Sequence, residues 1–215
     1  GLGLGLTGLS PRLRDYLAKI QSSSKALLFI INDILDFSKI EAGRLELDSV
    51  TFNLEEVLYN VADLFSIGAE QKGVELVFEL APDVPQHLRG DPLRLGQVLN
   101  NLVGNAVKFT ETGEVHVKVS RLASANRGGE ESAELSFAVR DTGIGISPAQ
   151  QERLFEAFQQ ADGSVTRRFG GTGLGLTISK HLVQRMGGEL TLDSEPGQGS
   201  CFSFVLDLPV AGSAY

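Results

Sequence analysis

The stretch NLVGNAVKFT, residues 101–110, places two asparagines and one lysine in an otherwise apolar segment. Asn101, Asn105 and Lys108 are spaced by four and three residues, so a helix puts all three on one face. Buried asparagines need hydrogen-bond partners. A network with neighbouring polar groups would supply them, and so would a Mg²⁺ ion beside a phosphate, with the lysine one turn away.

Two glycine-containing stretches follow along the chain. DTGIG (141–145) comes after a strand pattern, where an aspartate can accept a hydrogen bond from an exocyclic amine. Gly143 and Gly145 would let the backbone approach a flat ring, although such a stretch is also typical of an ordinary turn. GGTGLGLT (170–177) precedes an amphipathic helix pattern. It predicts either a glycine-rich turn that only precedes the helix or a phosphate site, since unpaired N–H groups at a helix start bind phosphate oxygens.

The segment QQADGSVTRRF (159–169) leads into the second glycine stretch. It has few apolar anchors, as expected of a lid over a ligand. Arg167 and Arg168 are candidates for phosphate contacts, with a solvated surface as the alternative. A dinucleotide-binding βαβ unit is excluded, because no strand pattern precedes the glycines at the required spacing.

The remaining periodicities predict strands alternating with helices. Helices are expected at 53 to about 68, at 91–109, from Ser147-Pro148, at 153–158 and at 174–186. Strands are expected at 43–52, 74–80, 114–122, 133–141, 188–194 and 200–208, with polar loops at 124–132 and around His87. Together they predict an α+β protein in which helices cover one face of a mixed sheet, a two-layer α/β sandwich.

Residues 10–42 form a separate pattern. Ser10-Pro11 is a helix start, and apolar residues then recur at alternating spacings of four and three, which is a heptad seam. Its positions are Leu13, Leu17, Ile20, Ser24, Leu27, Ile31, Ile34 and Ser38, with Leu28, Leu35 and Phe37 widening the apolar face. The pattern favours homodimerisation through this helix, and a single amphipathic helix packed on its own domain is the alternative.

Composition narrows the function classes. The 215 residues carry a formal net charge of −8, which argues against nucleic acid as a partner and requires a local cluster of donors for any phosphate site. Cys201 is the sole cysteine, so a disulfide framework and a cysteine-based zinc site are excluded and a reducing compartment is expected. No apolar run reaches membrane-spanning length. A cytoplasmic chain without direct membrane contact is expected, including as the soluble part of a membrane receptor.

In this order, the asparagine helix, DTGIG, the phenylalanine-bearing RLFEAF (153–158), the lid and GTGLGL resemble the N, G1, F and G2 boxes of the histidine kinase catalytic domain. The resemblance runs from about Ser10 to Leu208. It implies the Bergerat-type ATP-binding fold of the GHKL superfamily, preceded by a long helical dimerisation arm. That arm is similar to the second helix of the dimerisation and phosphotransfer hairpin in hybrid sensor kinases.

The resemblance implies roles for single residues. Asn105 would ligate Mg²⁺ with Asn101 beside it, Lys108 would contact phosphate, and Asp141 would bind the adenine amine. Gly143 and Gly145 would line the base pocket. The remaining ATP-binding positions would be Gly171, Thr172, Gly173, Leu174 and Gly175 around the triphosphate, and Ser200 at the adenine-side water network. The implied catalytic set is Asn101, Lys108, Arg167 and Arg168.

The sequence departs from the family at the phosphate acceptor. The family's acceptor histidine lies on a helix that should precede Ser10, and an acidic residue follows it. The three histidines present are His87, His116 and His181, and none is followed by an acidic residue. The expectation is therefore a shortened kinase that binds Mg·ATP without phosphorylating itself. In the parent protein, the γ-phosphoryl group would pass to a histidine and then to an aspartate of a response regulator.

The expected organisation has five parts: a linker or disordered leader at 1–9, the partial phosphotransfer helix at 10–42, a connecting strand at 43–52, the ATP-binding domain at 53–210 and a tail at 211–215. Two alternatives stay open. One is a pseudokinase acting as a nucleotide-dependent dimerisation or partner-binding module. The other is an ATPase of gyrase or chaperone type, which would have a glutamate where Asn101 stands.

Overall fold

The computed structural model describes residues 10–127, 130–155 and 173–212. The chain divides into two compact units, one up to Arg44 and one from Leu45 onward. This boundary lies within the segment where the sequence predicts the helical arm to end. In the part of the chain that the structure describes, no helix is both long and apolar enough to cross a membrane.

The first unit contains one long helix, α1 (Pro11–Glu41). The Ser10 hydroxyl accepts a hydrogen bond from the backbone N–H of Leu13 at 3.3 Å, so the predicted cap is present. Gly43 follows the helix in a left-handed conformation, with φ of 65°. The apolar seam is exposed in this chain, with side chains between 41% and 62% accessible at Leu13, Leu17, Ile20, Leu27, Ile31 and Ile34.

The second unit is a mixed sheet with helices, formed by eleven described elements. They are β1 (Val50–Asn53), α2 (Leu54–Lys72), β2 (Val74–Leu80), β3 (His87–Gly90), α3 (Pro92–Phe109), β4 (Gly113–Arg127), β5 (Glu130–Asp141), α4 (Pro148–Gln151), α5 (Gly175–Arg185), β6 (Leu190–Glu195) and β7 (Gly199–Pro209). The main sheet has five strands in the order β2-β4-β5-β7-β6. Only β2 and β4 are parallel within it, and β1 pairs with β3 in a separate ladder. The predicted two-layer α/β sandwich is confirmed.

Period-two patterning explains which face of the sheet is buried. Alternate residues of β4 and β5 are fully buried, while the residues between them are more exposed. The buried set includes Val115, Val117, Val119, Leu135, Phe137 and Val139. The Phe137 ring stacks on the ring of Phe204 in β7, with centroids 4.9 Å apart. Each such side chain contributes about 1.5–3 kcal/mol by leaving water.

Three assignments differ from the prediction. The helix expected to end near Gly68 continues to Lys72, because the capping glycine is Gly73 with φ of 71°, whereas Gly68 lies in open space and is tolerated. His87, predicted in a loop, begins β3 and pairs with Asn53. The strand predicted at 43–52 starts only at Val50, because residues 44–49 have no strand to pair with.

Two further predictions need correction. The polar loop predicted at 124–132 is mostly strand, because β4 and β5 continue pairing as far as Arg127 and Glu130. Backbone pairing in a hairpin does not require apolar side chains. The helix predicted at 153–158 begins as turns through Phe155, and its remaining residues lie outside the described part.

Candidate functional site

Asn101 lies where α3 meets the first turn of α5. Its side-chain amide Nδ2 donates to the buried hydroxyl of Ser179 at 3.1 Å. A Cβ atom on Gly175 would overlap the Asn101 carboxamide, so a larger residue at this position would require that side chain to shift. The hydrogen-bonded network that the sequence left open as an alternative is therefore present at Asn101, and Gly175 has a packing role.

Asn105 and Lys108 are half-buried on the same face of α3. The Lys108 ammonium lies 4.8 Å from the centroid of the Phe109 ring, a cation–π distance. Burial lowers the pKa of Lys108, which means that the charged ammonium lacks part of its hydration.

Asp141 ends β5 and is only 6% exposed. Its Oδ1 accepts a hydrogen bond from the backbone N–H of Gly143 at 2.8 Å. Burial raises the pKa of Asp141, while the backbone hydrogen bonds from Gly143 and Ser200 oppose that rise. The structure thus brings Asp141, Gly143 and Ser200 together around one buried acceptor.

The DTGIG loop is packed between α3 and the turn joining β6 to β7. The N–H of Ile144 donates to the carbonyl of Phe109 at 3.4 Å, and its own carbonyl accepts from Gly197 at 2.7 Å. A Cβ on Gly143 would crowd the Phe109 carbonyl, and one on Gly145 would overlap the carbonyl of Glu195. Both glycines are therefore required by neighbouring backbone, in addition to any approach of a ligand.

Sequence reasoning missed the polar side chains that hold this loop. The Ser194 hydroxyl lies 2.9 Å from that of Ser200 and accepts from the N–H of Ile146 at 2.9 Å. Gln151 Nε2 donates to the carbonyls of Ile146 and Ser194 at 2.8 and 2.9 Å. The signal was available, because Ser194 shares the inward-facing parity of Leu190 in a strand of period two.

The glycine loop is only partly described. Arg167, Arg168, Gly171 and Thr172 lie outside the described residues. Gly173 has φ of 69°, and Leu174 is buried at the N-cap of α5. A leucine side chain cannot accept a hydrogen bond, so it does not satisfy the first N–H groups of the helix.

The three histidines of the chain lie in β3, β4 and α5, and each is accounted for by its own element. His87 lies in β3, His116 Nε2 is 3.1 Å from Glu79 in the sheet, and His181 Nδ1 is 2.8 Å from the carbonyl of Thr177 in α5. Over 10–127, 130–155 and 173–212, no three His, Cys, Asp or Glu side chains are grouped to hold a metal ion.

Two family models match the chain. The model described as "Histidine kinase-, DNA gyrase B-, and HSP90-like ATPase" matches residues 90–210. The model described as "His Kinase A (phospho-acceptor) domain" matches residues 2–43, which contain no histidine. The second match begins inside the stretch that the sequence predicts as a leader.

Curated relatives and solved structures agree with these matches. Signal transduction histidine-protein kinase BarA of Escherichia coli (strain K12) is 48% identical over 202 residues, and sensor histidine kinase GacS of Pseudomonas protegens is 51% identical over 201. Each alignment covers 94% of this chain and 22% of the relative, so the chain spans about a fifth of their length.

Among solved structures, full-length ShkA in complex with AMPPNP is 36% identical with a TM-score of 0.76, over 95% of this chain and 41% of that one. Histidine kinase AdeS of Acinetobacter baumannii is 18% identical with a TM-score of 0.68, over 97% of this chain and 89% of that one. The second likeness concerns the fold alone.

Proposed function

The chain belongs to the histidine kinase-, DNA gyrase B- and HSP90-like ATPase family. We propose that it is part of a histidine protein kinase of the hybrid sensor type and that its second unit binds Mg·ATP for phosphoryl transfer. The observation that carries the proposal is the buried carboxylate of Asp141, held by two backbone amides beside the end of α3. Burial raises the pKa of this carboxyl despite those hydrogen bonds, and buried carboxyls with a perturbed pKa are frequent in binding sites.

The proposed contacts fall into two groups, one at the adenine end of the nucleotide and one at the triphosphate end. Asp141 would accept the exocyclic amine of adenine, with Gly143 and Gly145 beside the ring and Ser200 supporting the acceptor. At the other end, Lys108 and the first N–H groups of α5 would bind the triphosphate, together with the loop residues Gly171, Thr172, Gly173, Leu174 and Gly175. Phosphoryl transfer depends mainly on such positioning and charge neutralisation.

The residues also fit a magnesium ion shared with the substrate. Mg²⁺ binds oxygen ligands, keeps several waters and usually joins one or two protein groups to substrate phosphates. Asn105 would supply a carboxamide oxygen from the same face as Lys108, and Arg167 and Arg168 would add charge from the loop. Bound there, Mg²⁺ would neutralise phosphate charge.

Asn101 favours phosphoryl transfer over hydrolysis. A carboxamide has no basic lone pair with which to take a proton from water, whereas the glutamate of gyrase-type ATPases has one. The hydrogen bond from its Nδ2 to the Ser179 hydroxyl fixes the orientation of this carboxamide. In the proposed reaction the unprotonated nitrogen of a neutral histidine forms a bond to the γ-phosphorus, the bond from that phosphorus to the β–γ bridging oxygen breaks, and ADP leaves. The imidazolium ring so formed then loses its N–H proton to solvent.

The acceptor is proposed to be a histidine other than the three in this chain, and a response-regulator aspartate would receive the group next. The exposed seam of α1 supports homodimerisation through 10–42. Cytoplasmic placement is part of the proposal, because both ATP and a single free cysteine belong to a reducing, nucleotide-rich compartment.

Titration of ATP with and without Mg²⁺ tests the proposal. Wild type should bind more tightly with Mg²⁺, and Asn105→Ala should lose about ten- to hundredfold of that affinity, the equivalent of one contact to a charged group. Asn60→Ala is the control, because Asn60 is an exposed asparagine on α2. Binding that is indifferent to Mg²⁺, or unchanged in Asn105→Ala, would favour the pseudokinase instead.

A further inference from the structure

A lysine from α2 closes the C-terminal end of α3. The Lys72 ammonium donates to the carbonyls of Val107 at 2.7 Å, Lys108 at 2.9 Å and Thr110 at 3.3 Å. An ammonium has three N–H donors, and three carbonyls at a helix end are the groups that lack partners within the helix. The positive charge also opposes the negative end of the helix dipole.

These three carbonyls bracket Phe109, whose own carbonyl belongs to the candidate site. That carbonyl accepts the N–H of Ile144 at 3.4 Å, and a Cβ atom on Gly143 of the DTGIG loop would lie 2.5 Å from it. Lys72 therefore binds carbonyls on both sides of Phe109, and the carbonyl of Phe109 itself binds the DTGIG loop. We call this end of α3, residues 107–110, the corner. Any shift of the corner would move the DTGIG loop relative to the rest of α3.

The distance between the proposed base contact and the proposed phosphate contacts matters for nucleotide binding. Adenine and triphosphate are joined covalently, so Asp141 and the Asn105–Lys108 face must keep one separation for both ends to bind at once. The last turn of α3 connects the two sets, since Lys108 and Phe109 are adjacent residues. This turn is the one that Lys72 clamps.

We propose that Lys72 is a positioning residue for the nucleotide site, acting through the backbone of α3 without touching the nucleotide. The inference rests on the proposed function of the second unit. It assigns to the end of α2 the task of keeping the base-binding loop in register with the phosphate-binding face.

Substitution of Lys72 separates positioning from simple stability. In Lys72→Met, ATP affinity should fall by about three- to tenfold, because the corner is no longer held. Adenosine, which uses the base end alone, should bind as it does to wild type. Lys72→Arg should recover most of the ATP affinity, and Lys72→Gln, with two donors, should fall between Arg and Met.

Two controls accompany the series. Lys118→Met removes an equal charge from the sheet, where Lys118 is 2.8 Å from Glu79, and should leave ATP affinity unchanged. Val57→Ala, at a buried position of α2, lowers stability without removing a contact to the end of α3.

Five outcomes are informative. Loss of ATP affinity with unchanged adenosine affinity supports the proposal, including in Lys72→Gln if Lys72→Met does not fold. Equal loss for both ligands, loss also in Val57→Ala, or no loss at all overturns it. Wild type that fails to bind ATP overturns the proposed function itself, which distinguishes the two failures.

Discussion

Asp141 is a residue that lowers the stability of the fold when it is ionised. Its pKa is raised by burial, so the folded chain holds this proton more tightly than the unfolded chain does. Such a group contributes stability that is complete below the ordinary pKa of an aspartate and is lost as the pH rises through the folded value.

Replacement of Asp141 by asparagine tests that cost. The free energy of unfolding of wild type, minus that of Asp141→Asn, should decrease as the pH rises from the ordinary aspartate pKa through the raised one. Urea unfolding without nucleotide at a series of pH values measures the difference. ATP affinity of the variant should fall about tenfold or more. A stability difference that increases with pH would contradict the assignment.

Gly145 is the second residue at which a small change should have a large effect. Its φ is 67°, and a Cβ would overlap the carbonyl of Glu195. Gly145→Ala should therefore lower the free energy of unfolding by more than the ~1 kcal/mol typical of alanine at positive φ. Gly197→Ala is the matched control, since Gly197 has φ of 79° but open space. Equal losses in thermal unfolding would show that the overlap does not matter.

At the scale of elements, α3 is held at both ends by charged side chains that match its dipole. At the start, Asp91 Oδ1 accepts from the N–H of Arg94 at 2.9 Å, and Oδ2 accepts from Asp48 at 3.0 Å. At the end, Lys72 donates to three carbonyls. The helix α3 therefore packs its apolar face in the core and presents the site residues on another face. The contacts at both ends fix its position.

The exposed seam of α1 should support self-association. Ile20 is 62% exposed, and a charge in an apolar seam is costly, so Ile20→Glu should convert a dimer into a monomer. Gln21→Glu adds the same charge one residue away, off the seam, and should remain dimeric. Sedimentation velocity measures both. A dimer that persists in Ile20→Glu would place the contact elsewhere.

At the scale of the whole molecule, binding and acceptance of phosphate are expected to be separate. The chain as a whole is acidic, with a formal net charge of −8, so the phosphate site depends on local donors such as Lys108. Each of its three histidines lies in a strand or helix of the second unit and contacts neighbouring groups or solvent there.

Incubation with γ-labelled ATP tests this separation. The chain alone should acquire no acid-labile phosphate, because none of its histidines is the proposed acceptor. A dimerisation hairpin that carries an acceptor histidine, added in trans, should become labelled, and the Asn105→Ala variant should not label it. Acid-labile label on the chain alone would contradict the expectation.

Local sequence patterns were enough to place most of the candidate residues on helices, strands or loops. Helical spacing placed Asn101, Asn105 and Lys108 on one face, and period two placed Asp141 at a strand end, because these features depend on neighbouring residues only. The four-box order then identified the family. The same reasoning failed for His87, since a four-residue strand exists only through its partner β1, more than thirty residues earlier.

Tertiary packing decided which of these residues meet. Asn101 bonds Ser179 across 78 residues, and Lys72 reaches the end of α3 across 35. No local pattern encodes such pairs, because a flexible or small polar side chain finds its partner only after helices and sheet have packed. The sequence identified the family and most of the elements and singled out candidate site residues, and the packing of α2, α3, α5 and the β6–β7 turn determined how those that the structure describes are arranged.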